Sequence, residues 1–286
     1  MSRLICLRNK IRTVGGYDLK RLPVQYGYLY NWYCIEDVNG FVNTEDGWDV
    51  PSYDDTNLFV DYLISLGYPV LTSAGNQIKS CRQVNSPLGG DCATSDHPRW
   101  NEHSTHYGRD IFNFNMLPAG YRTSVGGSDF FDLGAISTFF TKTPTSGTSK
   151  YHLRTRNNSG SINTGFTDLR TACSIRFVRL ATSDELKLAD GTYCKHYTGN
   201  DGKKYKTVKI GTQVWMAENL AETKFSNGVL IPFEGANSGY FTNVEWAALV
   251  TAGRCAYGAS TGINETYVMM TQEEVYKTAP LRAKYK

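Results

Sequence analysis

The stretch Asp201-Gly-Lys-Lys-Tyr-Lys-Thr-Val-Lys-Ile-Gly-Thr-Gln-Val-Trp-Met-Ala-Glu-Asn-Leu220 decides how the chain is read. From Lys204 it spells a β-type segment, a tight turn at Gly211, and a second β-type segment leading into a short connector. The pattern predicts a β-hairpin over Lys204–Leu220, and it sits late in a chain of 286 residues.

Working outward, Gly47-Trp-Asp-Val-Pro-Ser52 delivers the chain to a helix. Ser52 is placed as its N-cap with Asp55 three residues on, and acids in the first turn suit the helix dipole. Leu58, Phe59, Tyr62, Leu63 and Leu66 then fall at one-face spacing, and Gly67 stops the run. Residues 73–110 read as loop. Leu117-Pro-Ala-Gly-Tyr-Arg122 reads as a turn into a strand. Residues 124–161 alternate short aromatic strands with Gly- and Ser-rich turns. Thr171–Leu180 reads as a closing strand with Cys173, Ile175, Phe177 and Arg179 on one face. After a polar connector, Asn243 is placed as the cap of a second short helix through Val244, Trp246, Ala247 and Leu249, ended by Gly253. Thr271-Gln-Glu-Glu274 has a capping-box spelling near the end.

Composition bounds the class. The 19 Tyr and 27 Gly favour β-strands and loops over helices. A formal charge of +3 without a Lys/Arg block gives no electrostatic footprint for nucleic acid. No apolar run reaches the length of a membrane span, and the apolar stretch near Met1 is too short for a signal-peptide core. Seven cysteines with no Cys-x-x-Cys pair read mostly as buried thiols of a reducing compartment. Cys81 and Cys92, which bracket a Pro-Leu-Gly-Gly turn, are the first choice for a disulfide.

Several short motifs recur in a recognisable set: Tyr28-Leu-Tyr-Asn-Trp-Tyr33, Gly47–Pro51, Trp100-Asn101, Leu117–Arg122, Ser174–Arg179, Tyr205–Leu220 and Glu245-Trp246. Together they resemble the Fibrobacter succinogenes major paralogous domain family. The resemblance implies an α+β, C-type-lectin-like fold related to formylglycine-generating enzymes, with mostly short antiparallel strands and two short helices. It makes Trp32, Trp48, Tyr121, Arg122, Trp215, Asn219 and Trp246 the fold-defining residues. In that family the hairpin precedes the Leu-Tyr-Asn-Trp-Tyr segment, whereas here the order is inverted.

The inversion sets the expected organisation: an arm at 1–25 for attachment, the main lectin-like part at 26–180, and a connector at 181–189. A hairpin and helix segment at 190–258 and a tail at 259–286 follow. A segment of about 70 residues with one hairpin buries little apolar area alone. Circular permutation, exchange between subunits and two tandem truncated domains are the three arrangements compatible with it. The first requires Trp215 and its β-ribbon to share the interior that encloses Trp32 and Trp48.

No catalytic constellation stands out. Formylglycine-generating enzymes use a cysteine pair near the last strand, but Phe177 stands at the second position and Cys173 is alone. Cys81, Cys92, His97, His103 and His106 crowd into one stretch, with spacings that fit no zinc motif. Trp100-Asn101-Glu102 echoes a calcium-dependent lectin only in part, and the Glu-Pro-Asn and Gln-Pro-Asp tripeptides are absent. No cofactor or metal is therefore expected, nor an enzyme.

The remaining candidate is a surface. Tyr151, His152, Arg154, Arg156, Asn157, Asn158 and Asn163 lie between Gly and Ser turns, a residue set suited to adaptable recognition. The resemblance and the lack of an export signal lead to a non-enzymatic virion protein of a tailed bacteriophage, decorating tail or capsid. Its expected partners are other virion proteins, copies of itself in a homo-oligomer, and a host surface glycan, with no nucleic acid and no membrane. The alternatives are an exported bacterial cell-surface binding protein and a formylglycine-generating type of oxidase.

Overall fold

The computed structural model describes residues 25–124, 129–145, 147, 149–233 and 241–256, together with two short strands nearer the start. Those strands, Thr13–Val14 (β1) and Tyr17–Asp18 (β2), pair antiparallel. The expected strand around Leu4–Arg8 and the capping-box spelling at Thr271–Glu274 lie outside the described residues.

The architecture is mixed α+β, built mostly from short antiparallel strands with few short helices. Leu29–Tyr30 (β3) is followed by the helices Tyr53–Ser65 (α1) and Ala74–Ile78 (α2). Next come Tyr121–Arg122 (β4), Phe130–Phe131 (β5), Ile136–Pro144 (β6), Ser149–Arg156 (β7) and Asn163–Asp168 (β8). Val178–Leu180 (β9), Tyr193–Thr198 (β10), Lys204–Ile210 (β11) and Gln213–Met216 (β12) form a four-stranded sheet in the order β10-β11-β12-β9. The helix Asn243–Ala248 (α3) and Arg254–Cys255 (β13) complete the described chain.

The hairpin forms as its pattern dictates. Gly211 takes the turn at φ +60°, and an added Cβ there would meet the Tyr62 ring at 2.9 Å. The flanking strands pair from Ile210↔Gln213 to Thr207↔Met216. Strand β12 then pairs with β9 through Trp215↔Val178, and β13 pairs with β3 through Cys255↔Leu29. Strands from the 190–258 segment thus hydrogen-bond directly to strands of the 26–180 segment.

Trp215 corrects one expectation. It lies in a cluster with Phe59, Leu63, Phe114 and Val208, whereas Trp32 and Trp48 belong to another with Phe177, Val214 and Met216. Successive residues of a strand point to opposite faces, so the ribbon separates two cores and contributes to both. A third cluster joins Leu29 and Leu117 to Phe241 and Trp246.

Helix α1 has the predicted cap: Ser52 Oγ accepts from Asp55 N, and the Asp55 carboxylate accepts from Ser52 N at 2.7 Å. Its end is a Schellman motif, with Gly67 at φ +86° and Tyr68 N donating to Leu63 O. The buried stripe is Thr56, Phe59 and Leu63, and Leu58 and Leu66 are exposed. The apolar face is narrower than periodicity alone implies, because the sheet reaches only one side of the helix. The cap of α3 is Thr242 rather than Asn243, since Thr242 and Glu245 complete the reciprocal box.

The stretch 73–110 is less irregular than expected. It contains α2 and a Cys81–Cys92 disulfide. It is also held by Lys79, whose Nζ donates to His106 O, Arg156 O and Ser159 O at 2.5–3.0 Å. Three carbonyls match the three protons of an ammonium, although burial pushes the group down to about 7. Residues 171–180 are regular only at β9. Cys173, Ile175 and Phe177 nevertheless share the first cluster, and Arg179 lies over the Trp48 ring.

Candidate binding face

Strand β7 runs through the middle of a three-stranded sheet, β6-β7-β8, and its two-residue period sorts the predicted surface residues. Tyr151 turns to the α1 side, stacking on Tyr53 with ring centroids 4.5 Å apart. Leu153, on the same face, is buried with Phe59 and Phe139. His152, Arg154 and Arg156 take the other face, joined by Lys150, which the sequence reading omitted. The signal was present in Lys150-Tyr-His-Leu-Arg-Thr-Arg156, where basic residues occupy every second place.

The neighbours of this row follow from register. Phe140 and Gly165 flank His152, and Thr138 and Asn163 flank Arg154. Arg154 donates from Nε to Thr138 Oγ1 at 3.1 Å, and its guanidinium lies 5.5 Å from the centroid of Tyr121. Tyr121 in turn stacks with Phe131 at 6.0 Å. Lys150 Nζ sits 3.7 Å from the centroid of Trp32. Asn163 is exposed and donates from Nδ2 to Ser161 Oγ. Asn158 is exposed in the turn after β7, and Asn157 is tied into that turn by its N–H to Ala135 O.

Electrostatically the row is unmatched. Among the described residues, Lys150, Arg154 and Arg156 take part in no ion pair. Arg170 pairs with Asp168 and Arg179 with Glu185, while Arg122 and Arg176 are spent on carbonyls and amides. Arg254 likewise lies over rings, those of Tyr28 and Phe233, but it is buried. His152 is 6% exposed and its Nδ1 has no hydrogen-bond partner. Burial, reinforced by Arg154 and Arg156, pushes the imidazole down to about 3, so it is neutral at physiological pH. Gly165 leaves room for it, because a Cβ there would stand 3.3 Å from the ring.

The fold-defining residues are structural. Trp32 Nε1 donates to Thr141 O at 2.8 Å, and Trp246 Nε1 donates to Arg170 O at 2.8 Å. Trp48 meets Tyr197, and Arg122 lies over Trp246 while donating to Phe241 O. Asn219 joins Arg176, Tyr26 O and Ser174 Oγ in one buried network.

The metal-like stretch has another explanation. The disulfide consumes the thiols of Cys81 and Cys92, and no three His, Cys, Asp or Glu side chains converge among the described residues. Trp100 is buried with Nε1 donating to Met116 O, and Asn101 is held against Gly134. Cys173 is fully buried, and desolvation pushes its thiol up to about 12. Cys255, whose charge would raise it further, is equally buried. Neither provides the exposed thiolate that a reactive cysteine needs.

No helix among the described residues is long and apolar enough to cross a membrane. Comparison with protein-family models, with curated proteins and with solved structures finds no match.

Proposed function

We propose that this chain is a non-enzymatic, lectin-like surface component of a tailed-phage particle that contacts host glycan or surface protein through the β6-β7-β8 face. The observation that carries the reading is the arginine end of β7: Arg154 rests on the Tyr121 ring rather than on an acid, Arg156 is exposed, and Lys150 and the neutral His152 are buried along the same row. Side chains held in this way keep their polar edges for a partner, on a scaffold fixed by a packed sheet. The strand pairings β9–β12 and β3–β13 support a permuted lectin-like topology, since they bring the late hairpin segment onto the earlier core. Copies of this chain and other virion proteins are the proposed docking partners.

The disulfide favours a second reading, an exported protein of the bacterial surface. Bonds of this kind form and persist mainly in oxidising compartments. Two measurements distinguish the readings. Mass spectrometry of density-purified particles finds the chain if it belongs to a virion, and surface labelling of the bacterium finds it otherwise. Saturable attachment of the purified protein to host cells, reduced by Arg156→Ala, is expected under both. Attachment that ignores the substitution removes the face from consideration.

A further inference from the structure

We propose that the β7 face recognises carboxylated sugars, such as uronate or sialate units of an acidic glycan, through Arg154 and Arg156, with His152 and Lys150 beneath them. This rests on the binding reading above and names the chemical class of its ligand.

The geometry leads there in three steps. Alternate residues of a strand stand roughly 7 Å apart, so Arg154 and Arg156 set two accessible cations side by side, with Lys150 and His152 buried further along the strand. Such a pair suits a ligand with carboxylates on neighbouring units, as the sugars of an acidic polysaccharide present them. A guanidinium over an aromatic ring also keeps its N–H donors in the plane of its edge, where a carboxylate can be held by two parallel bonds. Arg154 is in this state above Tyr121 and uses one donor on Thr138. Arg156 is exposed, with no side-chain hydrogen bond or ion pair among the described residues.

His152 supplies the independent sign. It is more than nine-tenths buried on the same face, between Lys150 and Arg154, with an unpartnered Nδ1. A buried polar atom left without a partner is costly, and such atoms in folded proteins usually have one. A neutral imidazole offers a donor and an acceptor, which fits a sugar hydroxyl beside the carboxylate held by the arginines. Asn163, opposite Arg154, and Tyr121 with Phe131 at the rim add an amide and an apolar platform for a pyranose face. Asp132 acts on the Tyr121 hydroxyl at this rim. A polyphosphate backbone is less well served. The row offers two accessible cations, Arg154 and Arg156, and presents no run of exposed rings on which successive bases would stack.

The test uses the full chain in isothermal titration with three carboxylated probes: tri-galacturonate, sialyllactose and a hyaluronan tetrasaccharide. Methyl-esterified tri-galacturonate, maltotriose and a single-stranded DNA oligonucleotide are the comparisons. At least one carboxylated probe is expected to bind, with its ester and maltotriose at least tenfold weaker. Arg156→Ala is expected to cost roughly tenfold in affinity, and Arg154→Gln a similar factor. Unchanged melting temperatures show that both variants fold. Failure of all three carboxylated probes overturns the inference, as does DNA binding of equal strength. Host-cell attachment that survives both arginine substitutions overturns the binding face itself. Attachment lost on substitution without carboxylate selectivity overturns only the ligand class.

Discussion

The guanidinium of Arg176 donates from Nε to Oδ1 of Asn219 at 2.8 Å, inside the molecule and across 43 positions of sequence. Arg176 also donates to Phe114 O, Met216 O and Asn115 O, and Asn219 reaches Tyr26 O and Ser174 Oγ. One buried cation therefore ties the hairpin segment to three places in the earlier chain. Among the described residues no acid forms an ion pair with it, and burial pushes the guanidinium down to about 9.

Removing this centre strands its acceptors. Arg176→Ala is expected to cost about 3–5 kcal/mol, and Asn219→Ala about 2–3 kcal/mol, because buried polar groups then lack partners. Urea unfolding of each variant measures the loss. A cost under about 1 kcal/mol for Arg176→Ala would mean that the carbonyls find other donors.

The fragment 1–186 is expected not to fold cooperatively. It keeps β9 but lacks β12, the Trp215 side of the second core and the partner of Arg176. Single large-to-small changes at aromatic core positions already cost about 3–5 kcal/mol, a large part of a domain's stability. A sharp thermal transition of the isolated fragment would falsify the shared core.

Glu222 is fully buried, accepting from Tyr205 Oη at 2.6 Å and Asp201 N at 2.9 Å. Burial pushes its carboxyl up to about 7, above the ~4.3 of an unfolded glutamate. Between roughly pH 4 and 7 the unfolded chain releases a proton that the folded chain retains. The stability from this group is thus complete below the window and falls by about 4 kcal/mol as pH rises through it. His152, held low by burial, acts in the opposite sense as pH falls, so the difference between wild type and Glu222→Gln isolates the effect. The variant should gain on wild type between pH 5 and 8 in melting experiments. Parallel pH curves for the two proteins would show that Glu222 is ionised throughout.

The Cys81–Cys92 bond closes a separation of 11 residues. A loop of that size constrains the unfolded chain by about 3 kcal/mol. Seven cysteines less these two leave five thiols, so a thiol reagent should titrate five in the unreduced, denatured chain. Seven reactive thiols in freshly purified protein would dismiss the bond.

Ser52 and Asp55 form both halves of the α1 cap. Ser52→Ala is expected to lower stability by about 1 kcal/mol, and Ser52→Asp to retain most of it. Equal stability of the alanine variant would indicate that tertiary contacts alone hold the first turn.

Local chemistry was legible in the sequence wherever one short-range rule governed the outcome. The α1 cap, its glycine stop, the hairpin about Gly211 and the disulfide each depend on residues close in the chain, as do the alternating faces of β7. Tertiary structure decided what lies across from those faces. The sheet reaches one side of α1, so Phe59 is buried and Leu58 is not. The ribbon lies between two cores, so Trp215 parts from Trp48 and Val214 does not. Among the described residues Lys150, Arg154 and Arg156 form no ion pair and face no acid across the strands, a fact of register and packing that no spacing along the chain encodes. Periodicity fixes which side chains share a face, whereas only long-range contacts determine whether that face meets a core, a counter-charge or solvent.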